Sequence, residues 1–249
     1  MATAVAERGG SGLRLALLRG FELRRDGQSL PLSMSTQRLV AFLALRDRQL
    51  HRIYVAGMLW LDTCEDRACA NLRTAVWRLR RLDRDLVETS GTHLRLGRHV
   101  AVDVHEACAQ AQRLLDPAAD CDGTDLATTR LAGDILPDWY DDGVLIEQER
   151  FRQIRLHALE ALCERLIAVG RFGAAVEAGL AAVTGEPLRE SGQRVLIRAH
   201  LAEGNPGEAL RQYSSYRRIL CDELGLEPSQ LMKDLVTTIR TSTAVGAPA

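Results

Sequence analysis

The spacing of apolar residues changes along the first hundred positions, and the changes predict a short sheet followed by helices. Residues 13–32 alternate loosely between apolar and polar positions around Asp26-Gly27, a strong signal for a hairpin turn. In residues 36–48 and again in 54–60 the apolar positions recur every three or four residues, which is typical of helices that bury one face. Ser35 is placed to cap the first of these helices.

A third helix is predicted over residues 67–84, RACANLRTAVWRLRRLDR, and its two faces differ sharply. At about 100° per residue one side is apolar: Ala68, Leu72, Ala75, Val76, Leu79 and Leu82. The opposite side holds Arg67, Thr74, Trp77, Arg78 and Arg81, flanked by Asn71, Arg73, Arg80 and Arg84. Such a helix suits the DNA major groove, although a solvated arginine-rich face has the same pattern.

The segment after this helix favours the interpretation that the helix binds DNA. Residues 86–96 indicate a strand, a turn at Ser90-Gly91 and a second strand, and residues 98–104 a possible further strand. Three helices followed by a hairpin describe a winged helix, in which the third helix enters the groove and the hairpin reaches the flanking backbone. The sheet that precedes the three helices narrows the winged helix to the type found at the C-termini of two-component response regulators.

From Asp103 onward the pattern is helical and suggests a repeat. Aligning the segments that begin at Ala168 and Ala202 pairs Gly170 with Gly204, Gly173 with Gly207 and Ala175 with Ala209, each 34 residues apart. This is the period of the tetratricopeptide repeat. We therefore expect a mainly α protein: an N-terminal winged helix-turn-helix with small antiparallel sheets, then an all-α tetratricopeptide-like helical-repeat domain. The expected boundaries are a disordered tail over 1–12, the winged helix over 13–102, the repeats over 103–240 and a disordered tail over 241–249.

Charge is divided between the two halves of the chain. Residues 1–100 hold 17 Arg and Lys against 10 Asp and Glu, whereas residues 101–249 hold 15 against 23. A basic first half indicates a polyanionic partner for that half alone. No stretch approaches the roughly 18 apolar residues of a membrane helix, so a cytoplasmic, nucleoid-associated protein without membrane contact is expected.

The sequence lacks the common motifs of catalytic and cofactor sites. Lys233 is the only lysine, which excludes a P-loop, and no GxSxG, HExxH or zinc-type Cys/His spacing occurs. We expect no enzyme activity, no cofactor and no metal. The six cysteines are expected to be reduced thiols, with Cys64 and Cys69 as an alternative redox pair.

Five segments give the chain a specific family resemblance: residues 55–60, 67–81, 94–104, 136–162 and 223–230. They read VAGMLW, RACANLRTAVWRLRR, LRLGRHVAVDV, LPDWYDDGVLIEQERFRQIRLHALEAL and ELGLEPSQ. In these segments the chain resembles the short form of the SARP/AfsR-type transcriptional regulators of actinomycetes. These join an OmpR-like winged helix to a bacterial transcriptional activator domain.

The resemblance implies a sequence-specific DNA-binding activator. Members bind tandem direct repeats near promoters as side-by-side protomers, recruit RNA polymerase holoenzyme through its sigma subunit and regulate secondary-metabolite (antibiotic) gene clusters. The match places Asn71, Thr74, Trp77, Arg78 and Arg80 at the DNA. Helix geometry adds Arg81 and the flanking Arg73; Arg38 and Arg52 are candidates for phosphate contacts, and Arg95 is the best candidate in the wing, ahead of Thr92 and His93.

Two alternatives stay open at this point. The protein could be a helical-repeat adaptor whose winged helix contacts protein, or a ligand-sensing regulator. Residues 139–142, Trp-Tyr-Asp-Asp, open a long predicted helix. They could contact polymerase or a neighbouring protomer, or they could be an aromatic anchor with capping aspartates.

Overall fold

The computed structural model describes residues 12–121, 123 and 125–244, with side chains as far as residue 237. Its described residues form two compact units that interleave along the chain. The first contains the residues up to Ala107 together with Gly133–Phe151, and the second contains Cys108–Ala132 and the chain from Arg152 onward. Small sheets and helices at the N-terminal end are followed by helices alone, which confirms the expected fold class.

The strands of the first unit are β1 (Leu13–Ala16), β2 (Glu22–Arg25), β3 (Gln28–Ser29), β4 (Leu50–His51), β5 (Val87–Ser90), β6 (His93–Leu96) and β7 (Ala101–Val102). Its helices are α1 (Met34–Arg46), α2 (Arg52–Leu59), α3 (Glu65–Leu82) and the beginnings of α4 (Asp103–Leu115) and α5 (Asp142–Ala168). The strands form two sheets, of order β3-β2-β1-β7 and β4-β6-β5.

The first sheet contains the predicted hairpin and one pairing that the sequence did not indicate. Asp26 and Gly27 have φ angles of 49° and 82°, the left-handed conformation that a two-residue hairpin loop requires. Strand β7 pairs with β1 in parallel, so the sheet is not purely antiparallel as expected. The predicted cap was also wrong: Ser33 precedes α1, and the Thr36 hydroxyl donates to the Ser33 carbonyl oxygen at 2.7 Å.

The second sheet forms the wing, defined here as the β5–β6 hairpin. Ser90 pairs with His93, so the loop is Gly91-Thr92 and lies one residue later than predicted. This shift places Glu88 opposite Arg95. The third strand, β4, was missed because two residues are too few to show a periodicity.

Helix α3 is anchored by the apolar face that its sequence predicted. Ala68, Leu72 and Leu79 are buried, and so are Ala75 and Val76, while Leu82 is half-buried. Helix α1 contributes Leu39, Leu43 and neighbouring buried residues to the same unit. The opposite face of α3 is left exposed, as described below.

Residues 133–151 fall within the repeat domain expected over 103–240, but in the structure they belong to the first unit. Leu18 and Ile135 form an antiparallel β-bridge, and the Leu136 amide donates to the Leu17 carbonyl oxygen at 2.8 Å. The same segment contributes aromatic packing, since Trp139 stacks on Phe21 with ring centroids 6.0 Å apart. The first unit therefore recruits a segment that is distant in sequence.

The helices of the second unit are the remainders of α4 and α5, a 3₁₀ turn at Thr129–Leu131, α6 (Phe172–Gly185), α7 (Glu190–Ala202), α8 (Pro206–Leu224) and α9 (Gln230–Ala244). The 34-residue recurrence is visible in the backbone. Gly170 and Gly204 both have positive φ, 73° and 87°, and each lies two residues after the end of a helix. The hydrogen bonds repeat as well: the Arg171 and Asn205 amides donate to the carbonyls of Leu166 and His200 at 2.9 and 2.8 Å.

The last helix packs on α8 through a shared apolar cluster that contains Tyr216, Leu220, Met232 and Val236. At the start of α9 the Ser229 amide donates to the Glu190 carboxylate at 2.8 Å. Helix α9 continues to Ala244, so residues 241–244 of the expected C-terminal tail are helical. The rest of the two expected tails, residues 1–11 and 245–249, lies outside the described residues.

Candidate nucleic-acid interface

The exposed side of α3 forms one continuous polar surface, called here the outward face. Arg67, Asn71, Thr74, Arg78 and Arg81 follow each other at steps of three or four residues and therefore lie along one side of the helix. All are exposed except Asn71, which is half-buried at the edge of the face. Arg73 and Arg80 are exposed on the other flank.

Three arginines of α3 keep their guanidinium groups available. Within the described parts of the chain, Arg67, Arg73 and Arg78 form no hydrogen bond or ion pair with another side chain. Guanidinium groups without a carboxylate partner can bind phosphates, or the O6 and N7 atoms of guanine, without first breaking an ion pair. The outward face therefore offers fixed positive charge at several positions along one helix.

The side chains of Trp77 and Thr74 each form one contact within α3. The Arg81 guanidinium lies over the Trp77 ring, 5.0 Å from its centroid, in a cation–π contact. Trp77 is 57% exposed, so more than half of its surface is accessible to a partner. The Thr74 hydroxyl donates to the Ala70 carbonyl oxygen at 3.0 Å and keeps its acceptor lone pairs free.

The C-terminal end of α3 is held by a residue that the sequence analysis did not single out. Arg25 in β2 donates to the Leu82 carbonyl oxygen at 3.0 Å and to the Asp83 carboxylate at 2.7 Å. These bonds satisfy a helix-terminal carbonyl and fix the end of α3 to the first sheet. Nothing in the local sequence distinguishes Arg25 from the exposed Arg24 beside it.

The wing is tied to α3 and carries an internal ion pair. Arg80 donates to the Thr89 hydroxyl of β5 at 3.2 Å, which links the helix to the hairpin. Arg95 donates to the Glu88 carboxylate through Nε at 2.6 Å and through a second, shorter bond. Its hydrogen bonds, followed by that of the Arg98 amide, lower the pKa of Glu88 below its ordinary value. Arg95, the predicted wing contact, thus already binds a carboxylate.

Arg52 and Arg73 are brought together although they belong to different helices. Half-buried Arg52 begins α2, and its backbone amide donates to the Thr92 carbonyl oxygen of the wing loop at 2.8 Å. Arg52, Arg73 and Thr92 all line one surface depression between α2, α3 and the wing. The phosphate-contact role of Arg52 stays a prediction.

Arg38 lies elsewhere in the first unit. Its guanidinium donates to the Asp141 carboxylate, and the side chains of both residues are about one third exposed. The side chain that was a candidate for a phosphate contact is therefore paired with an acid 103 positions away in the sequence. The role predicted for Arg38 stays a prediction, but a DNA phosphate would have to compete with this carboxylate.

Part of the Trp-Tyr-Asp-Asp segment is packed within the first unit, and part of it is exposed. Trp139 stacks on Phe21, Asp141 binds Arg38, and the Asp141 carbonyl oxygen accepts the Val144 amide at 2.8 Å. These contacts are those expected of an aromatic anchor, and they lie within the first unit. Tyr140, by contrast, is 81% exposed.

Two kinds of site are not found in the described part of the chain. No group of three or more His, Cys, Asp and Glu residues there is arranged to hold a metal ion. Among the same residues, no helix combines the length and apolarity that crossing a membrane requires. Cys64 and Cys69 are free thiols rather than a disulfide.

Together the fold and this surface define a winged-helix protein with a helical-repeat unit. Residues 99–240 match the family described as "Bacterial transcriptional activator domain". The chain belongs to this family, and with its winged helix it is a SARP-type transcriptional regulator.

Full-length relatives support the same assignment. The chain is 31% identical to the regulatory protein AfsR of Streptomyces coelicolor over 90% of its own length, and 29% identical to the AfsR of Streptomyces griseus over 87%. It spans about a quarter of the length of these relatives, 24% and 23%. Its fold is similar to a solved structure of Mycobacterium tuberculosis EmbR in complex with a low-affinity phosphopeptide, with a TM-score of 0.68 at 21% identity, covering 92% of this chain and 65% of that one.

Proposed function

We propose that the protein is a sequence-specific DNA-binding transcriptional activator. In this proposal α3 lies in the major groove, where Asn71, Thr74, Arg78 and Arg81 face the bases and phosphates. The wing contacts the flanking backbone. The single observation that carries the proposal is the exposed side of α3, where Arg67 and Arg78 of the outward face and Arg73 on its flank are without carboxylate partners within the described residues.

The DNA target and the mode of activation are inferred from the family. From the resemblance to SARP-type regulators, we propose that side-by-side protomers bind tandem direct repeats. The bound protomers would then recruit RNA polymerase through its sigma subunit. The relatives in Streptomyces are named regulatory proteins, which supports a regulatory role here. A secondary-metabolite gene cluster is the proposed target.

DNA binding by this surface is expected to weaken steeply with salt. Each phosphate that an arginine neutralises releases counterions, so the logarithm of the binding constant falls by about 0.9 per contact for each logarithmic unit of salt. For about five phosphate contacts, affinity should fall several hundredfold between 50 and 200 mM salt. Fluorescence anisotropy with the labelled promoter region next to the gene measures this slope.

The same titration separates the regulator from an adaptor whose winged helix contacts protein. A scrambled duplex of equal length is the control, and it should bind more weakly than the promoter at every salt concentration. No binding to either duplex at 50 mM salt would contradict DNA recognition and support the adaptor. Equal binding to both would contradict sequence specificity.

Tyr140 is proposed as a contact for RNA polymerase because its neighbours are packed and it is not. At 81% exposure its ring can bury a large apolar area against a partner. Tyr140→Ala should leave promoter affinity unchanged and lower transcription in vitro about tenfold, since an aromatic contact at an interface contributes roughly 1–2 kcal/mol. Unchanged transcription from a saturated promoter would exclude this role.

A further inference from the structure

A cavity of about 180 Å³ opens beside Gly143 in the first unit. Its walls are mostly apolar and come from α1, α2 and α5, the loop after α2 and the segment before α5. Phe42 of α1, Met58 and Leu59 of α2, Leu61, Trp139 and Val144 provide the apolar lining. Arg38, Asp141 and Asp142 are the charged residues that line it.

Residue 143 lines the cavity and has no side chain that could occupy it. A Cβ at Gly143 would lie 3.6 Å from Phe42 Cε2 and 3.9 Å from Met58 Cε, which are ordinary van der Waals distances. A longer side chain at this position would therefore extend along these two cavity-lining residues. Gly143 lies in the first turn of α5 and does not have a positive φ, so its backbone conformation does not require glycine.

The size and lining of the cavity indicate its ligand. An apolar protein cavity of about 150 Å³ accommodates benzene, so this one is large enough for an aromatic molecule somewhat larger than benzene. Phe42 and Trp139 offer ring faces, and Leu61, which is 69% exposed, leaves apolar surface beside the cavity for a ligand to cover.

The charged side chains that line the cavity restrict the class of ligand further. Arg38 neutralises Asp141, which leaves the Asp142 carboxylate as the uncompensated charge among the lining residues. A carboxylate ligand would be repelled by Asp142, whereas an N–H or O–H group could donate to it. We propose that this cavity binds a small neutral aromatic molecule that carries an N–H or O–H donor. The proposal goes beyond the proposed function and does not depend on it.

The binding test uses the full chain with indole, phenol and benzoate as probes, measured by ligand-observed NMR and by thermal unfolding followed by circular dichroism. Indole and phenol should bind, and at ten times their dissociation constants they should raise the unfolding midpoint by about 3–5 °C. Benzoate should bind at least tenfold more weakly. Absence of indole and phenol binding at millimolar concentrations would overturn the proposal, and equal binding of benzoate would overturn the assigned ligand charge.

A pair of variants locates the site. Gly143→Trp fills the cavity and should lower indole affinity at least tenfold, whereas Gly143→Ala leaves most of the space open and should change it less than threefold. Circular dichroism checks that both variants fold, and Gly143→Leu is the second filling variant if the tryptophan is not accommodated. Indole binding that is as tight in the filled variant as in the wild type would contradict this location.

Discussion

Replacing Arg78 by alanine is expected to abolish the promoter gel shift at protein concentrations that shift the DNA completely with the wild type. Arg78 is exposed on the outward face and forms no ion pair within the described residues, so its guanidinium is available to DNA. An arginine that binds guanine contributes roughly 1–3 kcal/mol of discrimination, which corresponds to about 10- to 100-fold in affinity. The fold should be unchanged, because alanine favours helix and no internal contact is lost.

The matched control for this variant is Arg218→Ala in α8. Arg218 is also an exposed arginine within a helix, but it belongs to the second unit. Both variants remove one positive charge, so a difference between them measures position rather than net charge. Wild-type affinity in Arg78→Ala at equal salt would refute the assigned role, and an equal loss in both variants would show only long-range attraction.

Loss of Arg46 is expected to be the most destabilising single change among the ion-paired arginines of the first unit. Arg46 donates to the Glu147 carboxylate at 2.6 Å, with only 20% and 11% of the two side chains exposed. Arg46→Ala leaves the buried Glu147 carboxylate with only the more distant Arg150, 3.9 Å away and largely exposed, and it also removes the cation that lies over the Phe42 ring. Removing one member of a buried pair costs about 3 kcal/mol or more in the free energy of unfolding.

Urea unfolding followed by tryptophan fluorescence measures this cost in the relevant unit. All three tryptophans of the sequence, Trp60, Trp77 and Trp139, belong to the first unit. The double variant Arg46→Met with Glu147→Leu should recover most of the lost stability, because a buried pair can be replaced by apolar residues of similar size. If the double variant were as unstable as Arg46→Ala, lost packing rather than the loss of the hydrogen-bonded partner of Glu147 would explain the effect.

Arg198→Ala is the control for an exposed pair. Arg198 donates to Glu164 at 2.6 Å, the same distance, but both side chains are nearly half exposed. Exposed ion pairs contribute about 0–1 kcal/mol, so the loss should be small when unfolding of the second unit is followed by circular dichroism. A loss as large as that of Arg46→Ala would contradict burial as the deciding factor.

Much of the fold could be predicted because its signals are local. The two faces of α3 and the Asp26-Gly27 turn depend on residues a few positions apart, whose side chains and dihedral preferences act directly on the backbone. The 34-residue recurrence could be found because the same local pattern of glycines and alanines occurs twice. The wing was predicted with its loop one residue too early. With the correct register, the pairing of Glu88 with Arg95 across the hairpin follows from strand geometry.

The site was predicted less completely, because the sequence shows which residues are basic and not which of them are already paired. Arg38, Arg78 and Arg95 look alike in the sequence. The structure separates them: Arg38 binds Asp141, Arg95 binds Glu88, and Arg78 keeps its guanidinium exposed. Arg25, which anchors α3 through Leu82 and Asp83, gave no signal at all, because its partners lie 57 and 58 positions away.

By itself, the sequence determined the order of the elements, the amphipathic arginine helix and the division into a basic and an acidic half. Periodicity and charge are properties of neighbouring residues, so they are present before the chain folds. Only the tertiary structure decided that residues 133–151 join the first unit, that Glu147 neutralises Arg46, and that a cavity opens at Gly143. Each of these depends on packing between segments about a hundred positions apart, which no local pattern records.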